Sequence, residues 1–289
     1  MASRSKIGKL IRRGVQEQPL HKAFLTDLMS CIEVCDAEGG REPSQYYKPS
    51  SLGCLRQMYF TRTQESRDAS RTEYNAVGMA DTGTRRHVAI QEVLLKMEEH
   101  GYDWRYLDVG EYLEKKWAEQ KCLDIEIRGK YGAETHLFHK TLLISFMCDG
   151  IMERISTGQC FLFEFKNQIS FKFSTKQDDY EIIKDSLGNR VEVKKIDGPQ
   201  IDSAHINQVA CYGYCLDLDY ALVLYENRDN CTLEVPELFE ITKERKEDVV
   251  SRILECEGYV ERLIPPPKTE DTKSCRWCAY ATACKRAGG

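Results

Sequence analysis

The run CFLFEFKNQ, residues 160–168, constrains this chain more than any other segment. With the two-residue period of a strand, Phe161, Phe163 and Phe165 face one way, and Leu162, Glu164 and Lys166 face the other. An acid and a lysine therefore leave the same side of an otherwise apolar strand. Charges placed there are costly unless they are paired or bound to a metal. The triplet Glu-x-Lys means little alone. It recurs at Glu114/Lys116, Glu192/Lys194 and Glu244/Lys246, and Asp271/Lys273 is similar. Those copies lie in polar stretches, where a solvated pair is the ordinary reading. Taken alone, Glu164 and Lys166 also read as a strand-surface ion pair.

The upstream run LLISFMCDGIME alters that balance. It reads as an apolar strand ending in Asp149, followed by Gly150 and a return strand. The connection to Glu164 is short enough for adjacent antiparallel strands, so two carboxylates can converge on one divalent ion. Mg²⁺ and Mn²⁺ prefer such hard oxygen ligands and keep waters for chemistry. Asp-Gly is also a common turn pair, which leaves Asp149 open to a second reading as a hairpin residue.

The rest of the chain supplies a frame for these strands. With 289 residues it is near the upper limit for one hydrophobic core, so one main domain with appended elements is expected. The boundaries fall at 1–80, a loosely helical region broken at Gly39 and Gly40; 81–235, the core; and 236–289, a helix with a cysteine-rich tail. Ser50 or Ser51 can cap a short helix carrying Cys54 and Tyr59. Residues 61–75 are polar and read as a loop. A long helix is expected from Asp81 or Thr82 to Gly101, with His87, Ile90, Leu94 and Met97 on one face. Strands follow within 105–165. An insertion or loop is expected over 176–200, with Gly188, Gly198 and Pro199; then a helix near 203–216, the buried strand YALVLYEN, and a helix over 237–262 stopped by Pro265, Pro266 and Pro267. The order helix, strands, helix, strand, helix predicts an α/β fold with a mixed sheet flanked by helices.

Composition narrows the setting. Hydrophobic residues at 42% and charged residues at 30% suit a globular chain. No apolar run approaches the roughly 18 residues needed to cross a membrane. The start, MASRSKIGKLIRRG, lacks the apolar stretch of a secretory signal, so a cytoplasmic location is expected. The net charge of −5 hides an uneven distribution: residues 1–22 carry +5, residues 268–289 carry +3, and the middle about −13. Basic ends can contact phosphates even on an acidic protein, or simply be solvated. Thirteen cysteines are many for a reducing compartment, where metal ligation is a better guess than disulfides. CRWCAYATAC sets Cys275, Cys278 and Cys284 as C-x2-C-x5-C, three thiolates that want a fourth ligand. No G-x-x-x-x-G-K-[ST] phosphate loop is present.

Together these residues resemble the RecB-type branch of the PD-(D/E)xK nucleases. That branch is marked by a Gly-x-x-x-His helix, an Asp, a Glu-x-Lys strand and a Gln-x-x-x-Tyr helix. Gly83 and His87, then Asp149, then Glu164 and Lys166, then Gln208 and Tyr212 match these in order. The resemblance implies a restriction-endonuclease-like mixed-sheet core. It also implies a metal-dependent deoxyribonuclease, an exonuclease acting on single strands or DNA ends. Asp149, Glu164, His87 and the carbonyl of Phe165 would hold Mg²⁺ or Mn²⁺. Lys166 would orient or help activate the attacking water. Gln208 and Tyr212 would position DNA or support Lys166.

The surroundings of Cys54 resemble the N-terminal cysteine of cluster-bearing relatives, such as AddB nuclease domains and CRISPR-associated adaptation nucleases. The resemblance thus implies a 4Fe–4S cluster on Cys54, Cys275, Cys278 and Cys284, clamping the N- and C-terminal segments together. Zinc is the alternative metal there. A nuclease-like DNA-binding or assembly subunit, serving a helicase, a recombinase or a CRISPR integrase, is the alternative function. Trp277, Tyr280 and Tyr59 are candidates for stacking on bases, although such aromatics more often pack. The oligomeric state is left open.

Overall fold

The computed structural model describes residues 20–38, 44–68, 74–131, 134–173, 180–184, 188–194, 201–269, 275 and 278–288. The basic start, Gly39 and Gly40, Gly198 and Pro199, Asp271 and Lys273, and Trp277 lie outside the described residues. The chain divides into two units, one of residues 1–42 and 70–82, the other of residues 43–69 and 83–289.

In chain order the elements are α1 (Leu20–Glu38), a 3-10 turn (Pro49–Ser51), α2 (Leu55–Arg62), α3 (Tyr74–Leu94), β1 (Trp104–Leu107), α4 (Val109–Ala118), β2 (Ile125–Tyr131), β3 (Glu134–His139), β4 (Ile144–Cys148), β5 (Gly150–Arg154) and β6 (Gln159–Gln168). There follow α5 (Ser170–Phe173), β7 (Tyr180–Lys184), β8 (Arg190–Lys194), α6 (Ser203–Leu216), β9 (Tyr220–Asn227), β10 (Leu233–Glu234), β11 (Leu238–Glu240), α7 (Lys243–Arg262) and α8 (Ala281–Arg286). The fold is α/β. A six-stranded mixed sheet runs β1-β5-β6-β9-β10, with β11 also on β9, and β6 and β9 are its parallel pair. β2, β3 and β4 form a separate antiparallel sheet, and β7 pairs with β8 alone. Among the described residues no helix is long and apolar enough to cross a membrane.

β6 is buried on both faces, as a central strand with a parallel neighbour must be. Phe163 and Phe165 pack with Met152 against Ile90, Leu94 and Met97. Leu162 joins the main core on the other side, with Val209, Tyr212 and Leu216 of α6. The alternation read from CFLFEFKNQ thus separates two packed layers.

Several boundaries differ from expectation. Asp81 and Thr82 lie inside α3 rather than capping it, and the Thr82 hydroxyl donates to the Gly78 carbonyl at 2.8 Å. No proline interrupts residues 74–80, so the helix extends through them. Beyond Leu94 the chain continues in turns to Gly101, which takes φ +80°. The Ser51 hydroxyl bonds to the Lys48 carbonyl, and Cys54, not a serine, is the cap residue of α2. The 176–200 region holds the β7–β8 hairpin, whose strands carry the β-branched residues Ile182, Ile183, Val191 and Val193. The start of the 237–262 region is strand: β11 pairs with β9, and Thr242 caps α7 by accepting from Arg245 N. α4 was not foreseen. It begins where the Asp108 carboxylate accepts from Gly110 N and Glu111 N.

Candidate metal centre

Asp149 is not a hairpin residue. β4 ends at Cys148 in the three-stranded sheet and β5 begins at Gly150 in the six-stranded one, so Asp149 is the step between sheets. Four contacts hold it. Its Oδ2 accepts from Phe165 N at 2.7 Å, and its carbonyl accepts from Gln91 Nε2 and from the Tyr106 hydroxyl, each at 2.8 Å. Its Oδ1 lies 3.3 Å from His87 Nδ1. Gly150 makes the Tyr106 contact possible. It takes φ +153°, and a Cβ there would stand 2.3 Å from the Tyr106 ring.

His87 projects from α3 over the edge of β6. Its ring meets Phe165 edge-on at 4.8 Å, and Nε2 lies 3.0 Å from the Phe165 carbonyl. Its Nδ1 is 3.7 Å from Glu134 Oε1 at the start of β3. One ligand atom each from His87, Glu134 and Asp149 lie within 4.8 Å of one another. Ligand atoms at adjacent positions of an octahedral Mg²⁺ site lie about 3 Å apart, given bonds of about 2.1 Å. The group is therefore close to the dimensions of a cation site.

Glu164 comes from the next position on the strand. It pairs in register with Val223, while its neighbour Phe163 faces Gly150. Its Oε1 accepts from Lys166 Nζ and from Gln208 Nε2 at 2.8 Å. Its Oε2 is buried and has no hydrogen-bond partner among the described residues. Burial, and next the charge of Asp149, hold the Glu164 carboxyl well above the usual carboxylate range, against the pull of Lys166. Gln208 also donates to the Tyr212 hydroxyl at 2.8 Å, and Tyr212 is buried, stacked on Phe146. Gln208 and Tyr212 thus form a chain that ends on Glu164, and Tyr212 reaches the centre only through Gln208. Gly83 sits within α3, where an added Cβ would meet nothing within 4 Å, so packing gives no reason for glycine there.

Cys54 of the earlier segment shares an electrostatic neighbourhood with the tail cysteines. Cys54, Cys275 and Cys284 all act electrostatically on Cys278, whose thiol is raised chiefly by burial. Cys278 Sγ accepts from Tyr280 N at 3.4 Å, and Cys284 Sγ accepts from Arg56 Nη1 at 3.2 Å. All four are free thiols. Tyr280 is buried, 5.8 Å from Phe60 and hydrogen-bonded to Thr61, and Tyr59 is buried as well. Neither ring is placed to stack on a base.

No family model matches the chain, and no curated protein matches it. Among solved structures, that of SSO0001 aligns with 91% of this chain and 97% of its own length, at 13% identity and a TM-score of 0.43.

The structure adds three residues to the centre that were not foreseen: Glu134, Gln91 and Tyr106. Gln91 was legible, since it follows His87 by four positions and shares its helix face. Glu134 and Tyr106 lie in stretches with no distinguishing pattern. Glu226, fully buried beside the centre at the end of β9, is neutralised by Arg86 at 2.8 Å.

The centre carries a pH signature. Burial works against a charged His87 ring, but hydrogen bonds to Asp149 and Glu134 and the charges of Asp149 and Glu164 outweigh it and raise its pKa to about 10. A metal needs the neutral imidazole, so binding must displace that proton. Metal affinity is expected to rise at least tenfold per pH unit between pH 7 and 9, with at least one proton released, because the raised Glu164 carboxyl must give up its proton as well as His87. Titration calorimetry in buffers of different ionisation enthalpy measures that proton, and affinity flat across this range would remove His87 from the ligand set. Without metal the sign reverses. Stability from the protonated ring is complete below the unfolded value, about 6.5, and is lost as pH rises through about 10.

Proposed function

We propose that the protein is a divalent-metal-dependent DNA nuclease of the RecB-type PD-(D/E)xK branch, with a restriction-endonuclease-like core, hydrolysing phosphodiesters in single strands or at DNA ends. The observation that carries this reading is the orphaned Glu164 Oε2. A fully buried carboxylate oxygen without a donor is costly, and a cation beside it removes the cost. The donor set that the fold assembles, His87, Glu134 and Asp149, fits Mg²⁺ or Mn²⁺, and in this reading Glu164 and the Phe165 carbonyl, now 3.0 Å from His87 Nε2, would join it when the ion binds.

When bound, such an ion lowers the pKa of a bound water and polarises a phosphoryl oxygen. The chain's own groups do the rest. The Asp149 backbone, pinned by Gln91 and Tyr106, keeps its carboxylate aimed at the site. Gln208, braced by Tyr212, fixes one oxygen of Glu164. Lys166, about one-fifth exposed, holds its ammonium beside Glu164, where it orients a water and offsets charge gathering on the phosphate.

In the same reading Cys54, Cys275, Cys278 and Cys284 hold a 4Fe–4S cluster, with zinc the alternative. Two of these thiols, Cys278 and Cys284, receive N–H hydrogen bonds, which suits such a group. It ties the segment before α2 to the tail, closing a long loop.

The test uses end-labelled single- and double-stranded DNA with Mn²⁺, with Mg²⁺ and with chelator. Degradation in metal and none in chelator is expected, and the product ladder reports polarity. No cleavage in any condition, from protein carrying its cysteine-bound group, would overturn the nuclease reading and leave a DNA-binding assembly subunit.

A further inference from the structure

The three-stranded sheet has one face in the core and one outside it. Along β3, Thr135, Leu137 and His139 alternate with Glu134, His136 and Phe138. Thr135 and Leu137 are buried, and Leu137 belongs to the main core. The opposite face starts at Glu134, a member of the metal group, and carries a row of flat side chains away from it. Tyr131, paired in register with Glu134, is 64% exposed. Its ring folds back over Gly129, where a Cβ would stand 3.3 Å away, and lies 6.4 Å from the His136 ring. Glycine is what leaves room for that ring.

Further along, the β2–β3 register shifts between Ile127 and Gly129, making Arg128 the extra residue of a bulge. A bulge re-aims a side chain, and this one lays Arg128 on Phe138, with Cζ 3.4 Å from the ring centroid. Tyr46 packs on the same pair, 4.7 Å from Phe138 and 5.0 Å from Arg128. The nearby carboxylate, Glu126, stands 3.5 Å from Arg128 and is half exposed, a loose pair, and the Tyr46 hydroxyl is a further partner; the Arg128 side chain stays 27% exposed. Lys130 is taken up by Asp108.

We propose that this outer face is the track for an unpaired nucleic-acid strand, whose bases stack on Tyr131, on His136 and on Arg128 and Tyr46 where they cover the buried Phe138, while its backbone leads to the metal group at Glu134. The inference rests on the nuclease reading of that group and assigns its single-strand substrate a path over named residues. Rings and a guanidinium plane in one row offer stacking to any base, whereas a duplex hides its base faces. Continuity through β3 sets the direction of the strand toward the site.

The test measures anisotropy of labelled oligo(dT), oligo(U) and a duplex of equal length, in chelator so that nothing is cut. A parallel assay follows metal-dependent hydrolysis of bis(p-nitrophenyl) phosphate, too small to need the track. The wild type is expected to bind both single strands more tightly than the duplex. Tyr131→Ala, at an exposed position, is expected to weaken single-strand binding about tenfold. Arg128→Ala is expected to weaken it too, and to flatten the log–log salt dependence by about 0.7. Both variants should hydrolyse the small diester as the wild type does. Unchanged single-strand affinity in both variants, with diester hydrolysis intact, overturns the track and leaves the nuclease reading standing. Affinity lost as expected in a protein that hydrolyses neither substrate keeps the track and removes the nuclease reading. Equal loss on duplex and single strand overturns stacking.

Discussion

Glu164→Gln is expected to lower metal-dependent cleavage by on the order of a thousandfold and to abolish the rise in melting temperature that Mn²⁺ or Mg²⁺ gives the wild type. The amide keeps the volume and can still accept from Gln208, so the strand stays packed. What it loses is the charge on the buried oxygen that has no partner among the described residues. Lys166→Ala provides the contrast. Its ammonium sits beside Glu164 but is not part of the proposed ligand set. Cleavage is expected to fall about 10²- to 10⁴-fold while the metal-induced shift survives. Scanning fluorimetry with metal and with chelator, next to the cleavage assay, separates the two roles. A Glu164→Gln protein still stabilised by metal and still active would mean that the orphaned oxygen is not a ligand.

The second large effect is expected at Arg56, far along the chain from the strand carboxylates. Its side chain is buried and makes four donations: Nε to the Pro266 carbonyl at 2.7 Å, Nη1 to the Cys284 carbonyl and thiol at 3.1 and 3.2 Å, and Nη2 to the Ala287 carbonyl at 3.3 Å. Arg56→Met leaves three carbonyls without their donor in a covered place. A loss of roughly 3–5 kcal/mol follows, because each charge-assisted bond is worth about 1.5–3 kcal/mol and the orphaned groups add to the cost. The melting temperature should fall by roughly 5–15 °C. Because one bond reaches Cys284 Sγ, the visible absorbance of a cluster should also bleach faster in air, and Arg56→Lys should restore part of both. Unchanged melting and bleaching would mean that Arg56 does not hold the tail. A colourless wild type with one equivalent of zinc would replace the cluster by zinc and leave the stability prediction intact.

Much of the central sheet was legible because local pattern and tertiary role agree there. CFLFEFKNQ alternates, and its two faces do enter two layers. YALVL is apolar throughout, and β9 buries Ala221, Val223 and Tyr225 while Tyr220, Leu222 and Leu224 on its other face are half-buried. The helix at 203–216 has clear ends, at Asp202 and at Asp217 in a left-handed turn. Where local signals were ambiguous, they misled. Asp81 and Thr82 have capping side chains, but a side chain caps only where the chain before it leaves the helix. Leu238–Glu240 continues smoothly into helical sequence, and only the free edge of β9 makes it a strand. Asp149-Gly150 has the composition of a hairpin turn, yet the chain there passes from one sheet to another.

By itself, then, the sequence determined that Glu164 and Lys166 share a strand face, that Asp149 lies close upstream of them, and that His87 is on the buried side of a helix. These follow from strand and helix periods, which depend only on covalent geometry. The tertiary structure alone decided that Glu134 completes the group, that Tyr106 can reach Asp149 because residue 150 has no side chain, and that Gln208 braces Glu164 rather than facing outward. Those contacts join residues 16 to 58 positions apart or come from strands of different sheets. Long-range closure of that kind leaves no periodic trace in a single chain, because its partners are chosen by packing and not by spacing.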